Sequence, residues 1–140
     1  MPLDKELISR KITLINIDLK SLKSLSKLSL KTYLSKDEYE TLAERYLERV
    51  IGRMIDINYH ILSEKEKEIP LDFYGSFIAM GKRKYLPLKL AEAMANSAGL
   101  RNRLAHEYDE IDAKKVFEAI NSCIKDVPKY LKSIVSALQL

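Results

Sequence analysis

From Lys36 to about Ser63 the chain carries two adjacent apolar stripes at helical spacing. One is Tyr39, Ala43, Tyr46, Val50, Met54, Ile57 and Ile61, and the other is Leu42, Leu47, Ile51, Ile55 and Leu62. Steps of three and four residues hold the first stripe on one side of an α-helix, the second runs beside it, and two neighbouring stripes make a face wider than one helix partner covers. A segment of this kind has to lie inside a helical assembly. It either packs among several helices of its own chain or turns part of its face to a second subunit.

The flanking sequence supplies further helices. Ile8, Ile12, Ile15, Leu19 and Leu22 recur at steps of 4, 3, 4 and 3, which predicts an amphipathic helix over about 4–28. Ser35 with Glu38 three residues later reads as a capping box for the next helix. Polar residues 63–69 and Pro70 interrupt the pattern, and residues 72–82 then read as a short helix ending near Gly81. Pro87 suits the first turn of a helix that continues through Ala91, Met94, Ala95, Ala98 and Leu104 and frays by about Tyr108. Asp112 can cap the last helix, whose stripe of Phe117, Ile120, Ile124, Val127, Leu131, Ile134 and Leu138 keeps its register through Pro128, as one helix with a kink. With only 4 Gly and 4 Pro among 140 residues there is little turn material for a β-rich fold. The expectation is a single all-α domain over residues 1–140, an up-and-down bundle of about five helices.

Charge and cysteine content narrow the function. The apolar share of 46% against 31% charged residues suits one packed core and excludes a disordered chain. Residues 1–35 hold 7 Lys or Arg against 3 acids, and residues 82–103 carry Lys82, Arg83, Lys84, Lys89, Arg101 and Arg103 against Glu92 alone. Such a strip suits phosphate contacts, although a charge run is more often a plain solvated face. Residues 104–112 reverse the sign with Glu107, Asp109, Glu110 and Asp112. Lone Cys123 has no intrachain partner and falls on an apolar stripe, Asp4, Lys5 and Glu6 interrupt any signal-peptide pattern, and no apolar run is long enough to span a bilayer. A cytoplasmic protein without a membrane role is expected.

Chemistry has few sources. His60 and His106 are the only histidines, neither has a zinc-type spacing, and no Gly-rich phosphate loop is present, so neither a metal nor another cofactor is expected. The densest set of reactive side chains is Leu100-Arg101-Asn102-Arg103-Leu104-Ala105-His106-Glu107-Tyr108. Asn102 and His106 share a helix face, whereas Arg101 and His106 stand about 140° apart around the axis. Two such helices facing each other across a two-fold axis would bring Arg and His around one phosphate. The residue types suit RNA cleavage by internal attack of the 2′-hydroxyl. Histidine exchanges a proton near neutral pH, and arginine neutralises the charge that builds on phosphorus. The same residues also suit a structural role, with Arg101 and His106 complementing the helix C-terminus and Tyr108 filling the core. Asp56 and His60, four apart, read either as an RNA-contacting pair or as a polar pair satisfied within the bundle. Tyr39 and Tyr46 read as core.

The string Arg101-Asn102-Arg103-Leu104-Ala105-His106-Glu107-Tyr108, followed by Ile111-Asp112, resembles the R-x-x-x-x-H-x-Y motif of HepT-like ribonuclease toxins of the HEPN superfamily. Glu44-Arg45, Ile55-Asp56-Ile57 with His60, and the run from Pro87 to Ala98 are similar to the same family, so the likeness covers nearly the whole chain. Arg103 stands where relatives commonly carry an apolar residue, and Glu48 where Gln is frequent. The resemblance implies a HEPN-like homodimeric bundle, a metal-independent endoribonuclease with its site at the dimer interface and tRNA as one target class. It also implies a minimal nucleotidyltransferase antitoxin of the MntA type that transfers AMP to the motif tyrosine, in the manner of type VII toxin–antitoxin pairs. On that basis Arg101 and His106 are the catalytic pair, Asn102 a supporting polar residue and Tyr108 the modified site. Arg103, Lys82, Arg83 and Lys84 are then candidate RNA contacts. The competing expectation is a non-catalytic module of the same fold that binds nucleotide, RNA or a protein.

Overall fold

The structure, a computed structural model, describes residues 2–106 and 112–140, with Ala105 and His106 described by their backbone. Among the described residues every regular element is helical: α1 Lys5–Ser26, α2 Leu30–Leu34, α3 Asp37–Glu66, α4 Phe73–Lys82, α5 Leu88–His106 and α6 Ala113–Leu138. The up-and-down bundle expected from the sequence is present, with one short extra helix, α2. No described helix is long and apolar enough to cross a membrane.

Helix α3 is the central element, packed against each of the other five helices. Ala43, Leu47, Val50, Ile51, Met54, Ile55, Ile57, Ile61 and Leu62 are all buried within the one chain, and of the two stripes only Leu42 is strongly exposed. The breadth of this face is therefore taken up by neighbours in the same bundle.

Helix α1 runs antiparallel to α3, and polar pairs fix its register. The backbone N–H of Asp4 donates to His60 Nε2 (3.0 Å), Lys11 Nζ pairs with Asp56 (3.1 Å), and Asp18 Oδ2 receives Arg49 Nε (3.0 Å) and Arg53 Nη1 (2.6 Å). The Asp18 carboxylate is buried, so two guanidinium partners replace the water it has lost. Asp56 and His60 are thus each engaged by α1 or its cap, rather than with each other. The α1 stripe is buried at Ile8, Ile15, Leu19 and Leu22, as its spacing predicts.

The expected capping box at Ser35 is not formed. Ser29 caps α2 through the Thr32 N–H, Ser35 ends that helix with its hydroxyl turned back to the Thr32 carbonyl, and Lys36 starts α3 without a side-chain cap. Three acids in the first turn of α3, Asp37, Glu38 and Glu40, complement its dipole instead. Asp112 does cap α6, accepting from the Lys114 N–H, and α6 runs unbroken through Pro128. Its missing N–H leaves the Ile124 carbonyl without the usual helical donor.

Buried polar groups link α3, α4 and α6. The Tyr130 hydroxyl donates to Asn58 Oδ1 (2.6 Å) and lies 3.1 Å from the Met54 carbonyl, Asn58 Nδ2 donates to Ser76 Oγ (3.1 Å), and Ser76 Oγ donates to the Phe73 carbonyl (2.7 Å). Helices α4 and α5 form an antiparallel hairpin whose close approach needs Gly81: a Cβ there would lie 2.6 Å from that of Ala91.

Candidate functional site

Arg101 lies on the last turns of α5, where the hairpin brings it back beside the start of α4. Its guanidinium carbon is 5.5 Å from the centroid of the Phe73 ring, a cation–π placement. The Phe73 ring meets Tyr59 edge to face, with centroids 6.1 Å apart and planes at 84°. A cleft of about 380 Å³ lies here, lined by Gly52, Ile55, Asp56, Tyr59, Phe73 and Arg101. Gly52 on α3 forms part of its wall, where an added Cβ would make an ordinary contact of 3.8 Å with Arg101 Nε. Burial, reinforced by the Asp72 charge, raises the Tyr59 phenol above its ordinary pKa, so it is a neutral hydroxyl at physiological pH.

The local sequence explains why Phe73 stands where it does. Asp72 caps α4 by accepting from the Gly75 N–H (2.6 Å), which makes Phe73 the first residue of the helix. Its carbonyl is held by Ser76, and Ser76 by buried Asn58 of α3. The ring under the guanidinium is therefore anchored at both helices.

The sequence-derived residues fall into three groups. Arg101 is part-buried in the cleft wall, and Asn102 and Arg103, next along α5, are exposed. His106 is the last residue of α5, which puts its backbone about one and a half turns beyond Arg101. Tyr108 lies outside the described residues, as does the fraying of α5 expected near it. Lys82, Arg83 and Lys84 are exposed at the other end of the α4–α5 hairpin, with Arg83 Nε 3.9 Å from Glu68 Oε2. Lys82 lies nine helical steps after Phe73, about 13 Å along the axis, so this basic cluster does not share the Arg101 cleft. Glu48 pairs with Arg45 at 3.7 Å.

Sequence reasoning did not find Phe73, Tyr59 or Gly52. Nothing in local spacing ties residues 52 and 73 to residue 101; the hairpin and the α3 crossing create the contact. The only available signal was an aromatic directly after a helix-capping Asp, which is common in helices without any site.

Cys123 is buried on α6, and its thiol is pushed up to about 12 by that burial and, secondarily, by Asp126, so it is an inert core group. Tyr39 and Tyr46 are part-buried against the core, as expected of packing residues.

Comparison with known proteins gives the chain its family. The family described as Ribonuclease HepT-like matches residues 15–134. A protein of Aphanizomenon flos-aquae named tRNA nuclease HepT is 40% identical over 132 residues, covering 94% of this chain and 90% of that protein. The mRNA nuclease HepT of Shewanella oneidensis is 25% identical over 88 residues, 63% of this chain and 66% of its own length. Among solved structures, the tri-AMPylated Shewanella oneidensis HEPN toxin in complex with MNT antitoxin superposes with a TM-score of 0.84 at 21% identity, over 93% of this chain and 97% of that one, and so shares its fold. With a family match along most of its length and a relative at this identity, the chain belongs to the ribonuclease HepT-like family.

Proposed function

We propose that the protein is the endoribonuclease toxin of a toxin–antitoxin pair, acting in the cytoplasm on tRNA as a homodimer without a metal ion. The observation that carries the reading is Arg101, a guanidinium held on an aromatic face beside a cleft, on the same helix as His106. In the proposed reaction the ribose 2′-oxygen attacks phosphorus and the bond to the 5′-oxygen breaks, leaving a 2′,3′-cyclic phosphate and a 5′-hydroxyl. His106 exchanges the protons, and Arg101 neutralises the charge that accumulates on the non-bridging oxygens. Asn102 orients the phosphate, while Arg103, Lys82, Arg83 and Lys84 contact the RNA backbone. The preference for tRNA is supported by the relative named tRNA nuclease HepT, the more similar of the two nucleases compared.

The proposed control point is Tyr108. A nucleotidyltransferase antitoxin, the kind of partner seen with the AMPylated HEPN toxin, would let the Tyr108 phenol oxygen attack the α-phosphorus of ATP, with pyrophosphate leaving and the phenolic proton lost. The added phosphate puts negative charge and bulk where RNA phosphate must bind.

The test is cleavage of tRNA in excess chelator by the wild type, Arg101→Ala and His106→Ala, with light scattering on each. Cleavage by a dimer that disappears in both variants is expected, with a smaller loss for Asn102→Ala. Dependence on added magnesium, full activity in His106→Ala, or an active monomer rejects the mechanism. Co-expression with the neighbouring transferase should add AMP mass to Tyr108 and stop cleavage. Tyr108→Phe should remain toxic and escape silencing, and a label mapping elsewhere rejects the regulatory reading alone.

A further inference from the structure

We propose that Phe73 is the positioning residue for Arg101: its ring face holds the guanidinium in the orientation from which it meets the scissile phosphate. The inference rests on the nuclease reading above and adds a part that the sequence motif does not contain.

The geometry gives three independent supports. First, the guanidinium carbon stands 5.5 Å from the Phe73 centroid, within the range of a cation–π contact, and the residue is only part-exposed, so water competes weakly for the charge. Second, the ring cannot swing freely. Tyr59 braces its edge, the Asp72 cap fixes the start of α4, and the Ser76 hydroxyl holds the Phe73 carbonyl at 2.7 Å. Third, α3 also lines the cleft at Gly52, where an added Cβ would stand 3.8 Å from Nε, so the Arg101 side chain runs close to that helix as well as to the ring.

An arginine side chain has four rotatable torsions between Cα and the guanidinium, and a phosphate binds it well only when the planar fork is aimed. Fixing that fork before substrate arrives avoids reorganisation when charge develops in the transition state. Losing the ring face should therefore lower kcat by about tenfold, the size of a part-desolvated cation–π contact, with little change in KM.

The experiment places phenylalanine analogues with one, two, three and five ring fluorines at position 73 by site-specific incorporation. Fluorination keeps the ring nearly the same shape while draining the negative face that attracts the cation. Cleavage of tRNA is followed at steady state over a range of substrate concentrations. A stepwise fall in kcat with fluorine number at constant KM and constant thermal midpoint is the expected result. Phe73→Tyr should keep near-wild-type kcat, and Phe73→Leu should lose about tenfold. A flat response across the fluorine series, with Arg101→Ala inactive, overturns the positioning role and leaves the nuclease reading standing. Full activity in Arg101→Ala overturns the nuclease reading itself.

Discussion

Removing the hydroxyl of Tyr130 tests whether the three-helix polar network or the surrounding apolar packing holds α6 in place. Tyr130 is fully buried, and its hydroxyl donates to Asn58 Oδ1 at 2.6 Å. In Tyr130→Phe the ring stays, so Asn58 Oδ1 becomes an acceptor with no donor at a residue that is 0% exposed. The Met54 carbonyl, 3.1 Å from the same hydroxyl, lies inside α3 and keeps its helical bond, so it adds little. One orphaned buried acceptor costs about 1–3 kcal/mol, and the expected loss is about 2 kcal/mol. For a chain of this size that corresponds to roughly 8 °C in thermal midpoint. Urea unfolding followed by far-ultraviolet circular dichroism measures it, with the denaturant slope unchanged.

Tyr33 supplies the control. It is equally buried, at 1% exposure, and its ring packs on Phe117 with centroids 4.6 Å apart, yet its hydroxyl has no hydrogen-bond partner among the described residues. Tyr33→Phe should thus be neutral or stabilising. A second check replaces both ends of the strong bond: Asn58→Leu in the Tyr130→Phe background should cost less than the sum of the two single changes, by at least about 1 kcal/mol. Equal losses in Tyr33→Phe and Tyr130→Phe, or strict additivity in the double variant, would refute the network argument.

Two helical glycines should respond in opposite directions. Gly81→Ala forces a Cβ to within 2.6 Å of Ala91 Cβ and should cost about 1–3 kcal/mol by prising α4 from α5, whereas Gly52→Ala meets nothing nearer than 3.8 Å and should gain about 0.5–1 kcal/mol from helix propensity. Alkaline pH should destabilise the fold in a defined window. Burial raises the Cys123 thiol from its ordinary 9.0 to about 12, raises Tyr33 from 10.0 to about 12 with help from Glu40 and Glu44, and raises Tyr130 well above 10.0. The folded chain keeps these protons while the unfolded chain gives them up. Stability is therefore complete below about pH 9 and falls towards pH 12 by about 1.4 kcal/mol per pH unit for each group in play. Cys123→Ala should delay the onset towards pH 10; an onset unmoved by that change, in urea titrations across the window, refutes the assignment.

What the sequence discloses here is what repeats along the chain. The stripes of α1, α3 and α6 are legible because burial on one face of a helix imposes steps of three and four, and Asp112 is legible as a cap because a carboxylate before an apolar-periodic run has an unpaired N–H to meet. Pro128 inside α6 is legible too, since the stripe resumes beyond it in register. Ser35 shows where such reading stops. A Ser followed three residues later by Glu fits a helix start, but the same hydroxyl can turn back to a carbonyl at the end of the preceding turn, and with α2 present that local bond wins.

The candidate site divides along the same line. Arg101, Asn102 and His106 belong to one helix and stand out in the sequence as a dense run of reactive side chains that resembles the family motif, whereas the partners that give Arg101 its setting come from α3 and α4 and leave no periodic trace. Phe73 becomes a neighbour of Arg101 only through the hairpin turn that Gly81 permits and the cap that Asp72 supplies. Asn58 and Ser76 look like ordinary polar residues in helical stretches until Tyr130, 72 residues from Asn58, closes on them. The link runs from Tyr130 through Asn58 and Ser76 to the Phe73 carbonyl, and from the Phe73 ring to Arg101. The two halves of that link do different work. Ser76 still reaches the Phe73 carbonyl when Tyr130 loses its hydroxyl, because Ser76 donates there and only accepts from Asn58. A loss at Tyr130 should consequently appear in stability, and a loss of the Phe73 ring face in turnover.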